Sequence, residues 1–295
     1  MGKIGLVTVL YNSDTVIEEF INSIGYQKFN NYKLYLVDNS VNDKTTHLLE
    51  SYLLEFQNIE YDHIKNTINE GVAKGNNIGI KKALEDQCDY VILLNNDIVF
   101  ENENLFEELI NLANNEKDVI IAPKIFYHGT SMIWYAGGYH HNILTLGIHH
   151  GMKALDNPLQ NMSYYCTYAP TCFVLIPKKI FEKIGFMYED YFAYYDDNDF
   201  MYRAVKNDFK ILYTPSVSLY HKVSTSTGGD DSLFYIFYAN RNKIIFIKRN
   251  YPFVRQIFSI AVLFVGRIKN VFKYNEKQRK AMFKGLAEGL FYKSV

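Results

Sequence analysis

The chain has 295 residues, a formal net charge of −1 and 48% apolar side chains, enough for one large domain, or one domain with a small appendage, around a sizeable core. A charge this close to neutral argues against a general nucleic-acid binder, which is usually clearly basic. Three cysteines (Cys88, Cys166, Cys172) without CxxC spacing imply neither a disulfide framework nor a zinc site, and reduced thiols in a cytoplasmic protein account for them most simply. Aromatic residues make up 16%, with 25 Tyr against one Trp, a surplus shared by sugar-binding surfaces, interfaces and lipid-facing helices.

Ile4 to Leu10 reads as a buried first strand. It is too short for the core of a signal peptide and no cleavage site follows, so export is not expected. Ser13 or Asp14 is placed to cap a helix with Val16, Ile17, Phe20, Ile21 and Ile24 at helical spacing. Lys33 to Val37 is a second strand, ending in Asp38-Asn39-Ser40; His47 to Phe56 reads as a helix and Ile59 to Ile64 as a third strand. Asn69-Glu70-Gly71 and Gly75-Asn76-Asn77-Ile78-Gly79 lead into a helix reaching about Leu84. Tyr90 to Leu94 is a continuous apolar run, as in a strand buried on both faces. Asn95-Asn96-Asp97 turns its end, and a short apolar run to Phe100 leaves the turn. This alternation predicts a parallel sheet, whose ligands bind beyond the carboxyl ends of the strands.

The turn after the first strand reads Leu10-Tyr11-Asn12-Ser13, without glycine, and no GK[ST] triplet occurs. The dinucleotide-binding and P-loop readings therefore fail. The strand ends instead carry Asp38, Asn39 and Asp97. One Asp there can accept the imide N–H of a pyrimidine, and a second can hold a divalent metal against a diphosphate. Each also suits a plain turn.

Asn115 to Ala122 is a loop entering a strand, and Pro123 to Tyr165 carries no clear period. His140-His141 and His149-His150 fall in that stretch, with Trp134 and Gly137-Gly138 before them; a hairpin or acceptor-side loop is expected there in preference to a metal site. Thr167 to Ile176 is an apolar strand with a small-residue entry, and Pro177 to Gly185 a short helix opened by Pro and closed by Gly. Asp196, Asp197 and Asp199 then open a helix that continues to about Asn207. The helix dipole favours acidic residues there, but capping explains only one of the three. Phe209 to Pro215 is a further strand, followed by Val217 to His221 and the hydroxyls of Ser224 to Thr227. Beyond Asn250, Phe253 to Phe272 is apolar with basic punctuation, and Gln278 to Phe291 is amphipathic. The longest charge-free run, Ile257 to Val265, is too short to span a bilayer. Such helices suit a lipid headgroup layer, the parent domain or a twin subunit.

Thr8-Val9-Leu10-Tyr11-Asn12-Ser13, Val37-Asp38-Asn39-Ser40, the Asn69 to Gly79 block and Leu94-Asn95-Asn96-Asp97, in this order, resemble the nucleotide-sugar half of a family 2 glycosyltransferase. These are inverting enzymes with a GT-A fold, and the bacterial rhamnosyltransferase-like subgroup is the most similar. The resemblance covers residues 4 to 245. It implies a Rossmann-like, mostly parallel α/β sheet in a domain of residues 1–250, with a nucleotide-sugar half (1–122), an acceptor and catalytic half (123–250) and a helical extension (251–295). It further implies that Asp38 contacts the pyrimidine and that Asp97, with His221, holds Mg2+ or Mn2+. By position Asp197 matches the general base, and Asp196 stands where the subgroup has Glu. Thr8, Leu10, Asn12, Asn69, Gly71, Asn76, Asn95, Asn96, Asp199, Arg203 and Arg241 are the expected substrate contacts. The implied donor is a dTDP- or UDP-linked sugar, with rhamnose favoured, and the implied acceptor a saccharide or lipid-linked saccharide of a bacterial surface polysaccharide. The expected location is cytoplasmic, and the pattern of the tail, outside the resemblance, suits either contact with a membrane surface or a homodimer. A nucleotidyltransferase would need a Gly- and Arg-rich loop after the first strand, which is missing. A non-catalytic saccharide-binding protein would not need both acidic clusters.

Overall fold

The computed structural model describes residues 2–56, 58–223, 229 and 231–293. In chain order the first half runs β1 (Ile4–Leu10), α1 (Ile17–Gly25), β2 (Tyr32–Asp38), α2 (Lys44–Leu53), β3 (Tyr61–Lys65), α3 (Gly71–Glu85), β4 (Tyr90–Leu94), β5 (Ile98–Val99) and α4 (Leu105–Asn115). The second half runs β6 (Ile120–Tyr127), β7 (Ile133–Tyr135), β8 (Gly138–His141), β9 (Leu146–His149), β10 (Tyr164–Cys166), β11 (Phe173–Pro177), α5 (Lys178–Ile184), α6 (Asp196–Lys206) and β12 (Ile211–His221). Three helices close the chain: α7 (Leu233–Asn250), α8 (Phe253–Lys273) and α9 (Glu276–Phe291).

The main sheet has the order β10-β12-β6-β11-β4-β1-β2-β3. Its β4-β1-β2-β3 end is parallel, as the alternation of strand and helix predicts. β11 runs antiparallel to both β4 and β6, and β12 returns parallel to β6. The two segments expected around Pro215 are one strand, with a register shift between Thr214 and Ser218. A bulge is where a strand tolerates a residue that lacks the N–H donor. The stretch without a clear period folds as β7, the β8–β9 hairpin and β10.

α3 lies close against β1 because its packed face carries glycine. A Cβ at Gly75 would stand 2.8 Å from Val9, and one at Gly79 2.4 Å from Val7. The same device joins the tail to the body. A Cβ at Gly285 of α9 would meet the Phe237 carbonyl of α7 at 2.4 Å, and one at Gly289 the Arg241 carbonyl at 2.8 Å. Met282 and Leu286, also on α9, complete the contact with Ile236, Ile244 and Leu263.

Gly285→Val is therefore expected to destabilise the chain by about 1–3 kcal/mol through overpacking. Gly266→Ala on α8, where a Cβ meets nothing within 4 Å, should be neutral or mildly stabilising. Urea unfolding of the two variants checks this; equal midpoints would reject a tight α7–α9 contact.

Candidate active site

The carboxyl ends of β1, β2 and β4 lie at one edge of the sheet, since Leu10 pairs with Asp38 and Val7 with Leu93 in parallel register. Cross-bonds between the loops fix their relative positions. The Asn12 N–H donates to Ser40 Oγ at 2.8 Å, the Asn39 N–H donates to the Leu10 carbonyl at 2.8 Å, and the Asn96 amide bonds Ser13 Oγ. Asn12 sits at φ +49, in the left-handed region that Asn tolerates. Asn95 is exposed, whereas Asn96 is buried.

Asp38 is fully buried at the end of β2. Its Oδ1 accepts the Ser40 N–H at 2.8 Å, and its Oδ2 accepts Lys65 Nζ at 2.9 Å and Thr46 Oγ1 at 3.3 Å, with His63 Nε2 at 3.6 Å. Burial opposes its ionisation, but His63, Lys65 and Ser40 outweigh that and hold the carboxyl far below the usual carboxylate range. The expected pyrimidine contact is thus filled by Lys65 in this structure.

Several expected substrate residues turn out to be internal. Thr8 and Leu10 have no exposed surface, because the middle of β1 is covered on both faces. Asn76 is buried, with its amide 3.6 Å from Met187 Sδ, and the neighbouring Asn77 bonds both the Met187 backbone and Glu189. Asn69 Oδ1 accepts the Gly71 N–H at 3.0 Å and so shapes its turn. Gly71 has φ +79, and a Cβ there would lie 2.5 Å from the Phe192 carbonyl. That carbonyl accepts the Val72 N–H at 2.7 Å, which ties the start of α3 to the loop before α6.

Asp97 and His221 meet across the β5–β12 pairing, with Asp97 Oδ1 3.2 Å from His221 Nε2. Both are buried. No cluster of three or more His, Cys, Asp or Glu suited to a metal occurs among the described residues. The donor set here is one carboxylate and one imidazole, and His221 Nδ1 has no hydrogen-bond partner among the described residues. A hard cation bound mainly by substrate phosphates and water needs no more protein ligands than these. Ser224 to Thr227, expected to offer hydroxyls beside His221, lie outside the described residues.

The three carboxylates at the start of α6 have separate surroundings. Asp199 is fully buried: Oδ2 accepts Arg203 Nε at 2.7 Å, and Oδ1 accepts Asn250 Nδ2 at 2.8 Å. Arg203 spends its other donors on the Ile184 and Phe186 carbonyls at 2.7 and 2.8 Å. In this structure the polar atoms of these two residues, expected to contact substrate, hold α6. Asp196 is 5% exposed, and burial with the Asp197 and Asp199 charges pushes its carboxyl up to about 8. Asp197 is half-buried; Oδ1 accepts the Asn198 N–H at 2.7 Å and Oδ2 accepts the Tyr168 hydroxyl.

An aromatic chain connects the two acidic centres. Trp134 stands edge-on to His221, with ring centroids 4.5 Å apart, and edge-on to His149 at 4.6 Å. His149 stacks on Tyr168, whose hydroxyl bonds Asp197. Burial lowers the His149 pKa, partly opposed by the Trp134 carbonyl and the Asp197 charge. Burial raises the Cys172 thiol, and the nearby charges of both Asp97 and Asp197 add to it. Asp97 and Asp197 are thus linked through four side chains, His221, Trp134, His149 and Tyr168. The four histidines do not converge: His140 bonds Tyr251, His141 the Leu144 N–H, His149 the Trp134 carbonyl and His150 Tyr164.

Arg241 donates to the Asp190 carbonyl at 3.0 Å and to Asn242 Oδ1 at 2.7 Å, so in this structure it braces the loop before α6. Asn242 holds the same loop through the Ala193 and Tyr194 carbonyls, at 2.7 and 3.0 Å. Trp134, Tyr168 and Asn242 have no role in the sequence reading. The single Trp and an amide buried in an apolar helix were the available signals. A separate hollow of about 540 Å³, lined by Phe126, His128, Asp156 and Tyr220, includes none of the acidic residues just described.

The family 2 glycosyl transferase pattern matches residues 6–185, more than half of the chain, and the chain belongs to that family. Its fold is GT-A: a mannosyltransferase of Pyrobaculum calidifontis, solved with GDP-Man and Mn2+, superimposes with a TM-score of 0.57 over 98% of this chain and 87% of its own, at 10% identity. Among sequence relatives, the low-salt glycan biosynthesis hexosyltransferase Agl10 of Haloferax volcanii is 25% identical over 60% of this chain. The chain spans 57% of that relative's length. The dTDP-rhamnosyl transferase RfbF of Shigella flexneri is 24% identical over 74% of this chain and 76% of its own.

The electrostatics of Asp38 have a measurable sign. Its folded pKa is depressed, so its stabilisation is present above the unfolded carboxylate value near pH 4 and is lost as pH falls toward the native value. Asp38→Asn is expected to lower the urea midpoint most at neutral pH and progressively less below about pH 4. Parallel wild-type and variant curves across that range would reject the assignment.

Proposed function

We propose that the chain is an inverting glycosyltransferase that moves a sugar from a nucleoside-diphosphate sugar to an acceptor hydroxyl. The observation that carries this reading is the series of contacts running from Asp97 through His221, Trp134, His149 and Tyr168 to Asp197. One in-line displacement at the anomeric carbon would suffice. The acceptor hydroxyl gives its proton to Asp197 as its oxygen bonds the anomeric carbon. The bond from that carbon to the diphosphate breaks, and its electron pair leaves with the diphosphate. Asp97 and His221 would hold Mg2+ or Mn2+, whose charge offsets that of the departing group. The Tyr168 hydroxyl orients the Asp197 carboxylate through their hydrogen bond. Burial and the neighbouring carboxylates oppose the ionisation of Asp196, which disfavours a second full charge beside the base.

The dTDP-rhamnosyl transferase RfbF supports rhamnose from a dTDP-linked donor; UDP-linked sugars are the alternative donors in this reading, and a saccharide or lipid-linked saccharide is the acceptor. The Mn2+ in the mannosyltransferase structure supports a divalent cation. In this reading Asp38 meets the pyrimidine after Lys65 moves aside, Asn12, Asn95 and Asn96 line the donor, and residues 1–250 form the catalytic unit.

Asp197→Asn is expected to abolish transfer, by a factor of about 10² or more, with donor affinity nearly intact. Asp196→Asn mimics the neutral acid and should stay within a few-fold of wild type near pH 7. Rates of nucleoside-diphosphate release across a panel of nucleotide sugars check both; equal losses in the two variants would overturn the assignment of the base. Asp97→Ala should weaken donor binding only when Mn2+ is present. Calorimetry giving the same wild-type affinity with and without Mn2+ would count against the metal.

A further inference from the structure

The tail differs from the body in charge. Residues 251–295 carry nine Lys or Arg against two Glu, whereas residues 1–250 carry 22 basic against 30 acidic side chains. On α8, Val254, Ile257, Phe258, Val265, Ile268 and Phe272 are all exposed, from 57% to 84%. At about 100° per residue these six positions fall within an arc of about 100°. Ser259 and Leu263, which are buried, fall on the opposite side. Lys269, Lys273 and Arg255 border the apolar arc along one edge. None of the described helices is long and apolar enough to cross a membrane.

The tip of the β8–β9 hairpin lies beside the start of α8. Arg255 donates to the Asn142 carbonyl and to Asn142 Oδ1 at 3.4 and 2.9 Å, bringing the start of α8 to the hairpin tip, where Ile143 and Leu144 are exposed. The second strand of the hairpin reaches the acidic centre, since the Gly147 N–H donates to Asn198 Oδ1 at 2.5 Å beside Asp197. Three extended residues separate tip from base, on the order of 10 Å.

We infer that the apolar arc of α8, together with the hairpin tip, docks on the surface of an anionic lipid bilayer. An apolar arc bordered by cations, on a helix of 21 residues too charged to span, is the form that lies within a headgroup layer. Two copies meeting through this face would bring two strongly basic tails together, and like charges oppose that contact. The docking stands without the catalytic reading. Its consequence rests on that reading: an acceptor hydroxyl within about one hairpin length of the bilayer belongs to a saccharide on a lipid anchor.

The test is flotation of the full chain with vesicles of phosphatidylcholine containing phosphatidylglycerol, and with phosphatidylcholine vesicles alone. Binding is expected to the first, to fall at least tenfold on the second, and to weaken with salt. Val265→Glu combined with Phe272→Glu should abolish it, and Lys269→Glu with Lys273→Glu should reduce it several-fold. All four side chains are exposed, so circular dichroism and donor hydrolysis in solution should stay at wild-type levels. Absence of wild-type binding to the anionic vesicles would overturn the inference, as would a dimer that Val265→Glu dissolves. Vesicle binding without turnover of any donor would leave the docking in place and remove the catalytic reading.

Discussion

The site depends on the direction of a single strand. β11 is inserted antiparallel between β4 and β6, so it begins at the edge where β4 ends, with Phe173 paired to Leu94. The residue before it, Cys172, accepts the Asn95 N–H through its carbonyl at 2.8 Å. The Tyr168 to Cys172 segment is thereby held against the Asn95–Asp97 corner. A parallel β11 would deliver those residues to the far side of the sheet and leave Asp197 without Tyr168. The β12 return works in the same direction, since its last residue, His221, pairs with Ile98 next to Asp97. Two reversals of chain direction thus bring residues more than a hundred positions apart to one edge.

The start of α6 is held under backbone strain. Tyr194 and Tyr195 both have positive φ, +65 and +72, which is unfavourable for large side chains. Asn242 grips the carbonyls on this turn, and the Tyr195 hydroxyl reaches the Thr145 carbonyl at 3.0 Å. The strained turn starts α6 abruptly, so the Asp196–Asp199 segment sits at the positive end of the helix dipole. Among the three acids there, position decides chemistry. Asp199 is neutralised by Arg203, and Asp196 is too buried to ionise readily beside its neighbours. Asp197, half-buried, is the one of the three that solvent reaches, which is what the proposed base requires.

The sheet was legible because burial on both faces leaves continuous apolar runs such as Val91 to Leu94, and the polar corners between them mark strand ends. The partners of the corners were not legible. Thr8 and Asp199 are polar residues in functional-looking motifs, but their side chains face the interior, and spacing along the chain does not reveal this. Arg203 lies four residues after Asp199, an ordinary helical pair, while Asn250 arrives from the end of another helix. The aromatic chain from His221 to Asp197 combines residues of β7, β9 and β12 with Tyr168, and the first two lie in the stretch without a period. Short strands of three or four residues carry too few side chains to show alternation.

Asp38 poses a question of competition: a buried, fully bonded carboxylate is a poor receptor for a ligand. Its closest charged partner, Lys65, nonetheless has other acceptors. Lys65 Nζ also donates to the Asn42 carbonyl at 2.8 Å, bonds Thr46 Oγ1 at 3.4 Å and lies 3.6 Å from Asp43. If an imide N–H took its place on Oδ2, the ammonium would keep three neighbours and remain partly in water. The Ser40 N–H would keep Oδ1 aligned throughout. Exchange of one charged donor for a neutral one then costs mainly the difference between two hydrogen bonds, which is small beside the desolvation penalty of a carboxylate left with no donor. The lysine therefore keeps a buried charge paired in this structure, the part that a nucleobase would take over in the proposed reading.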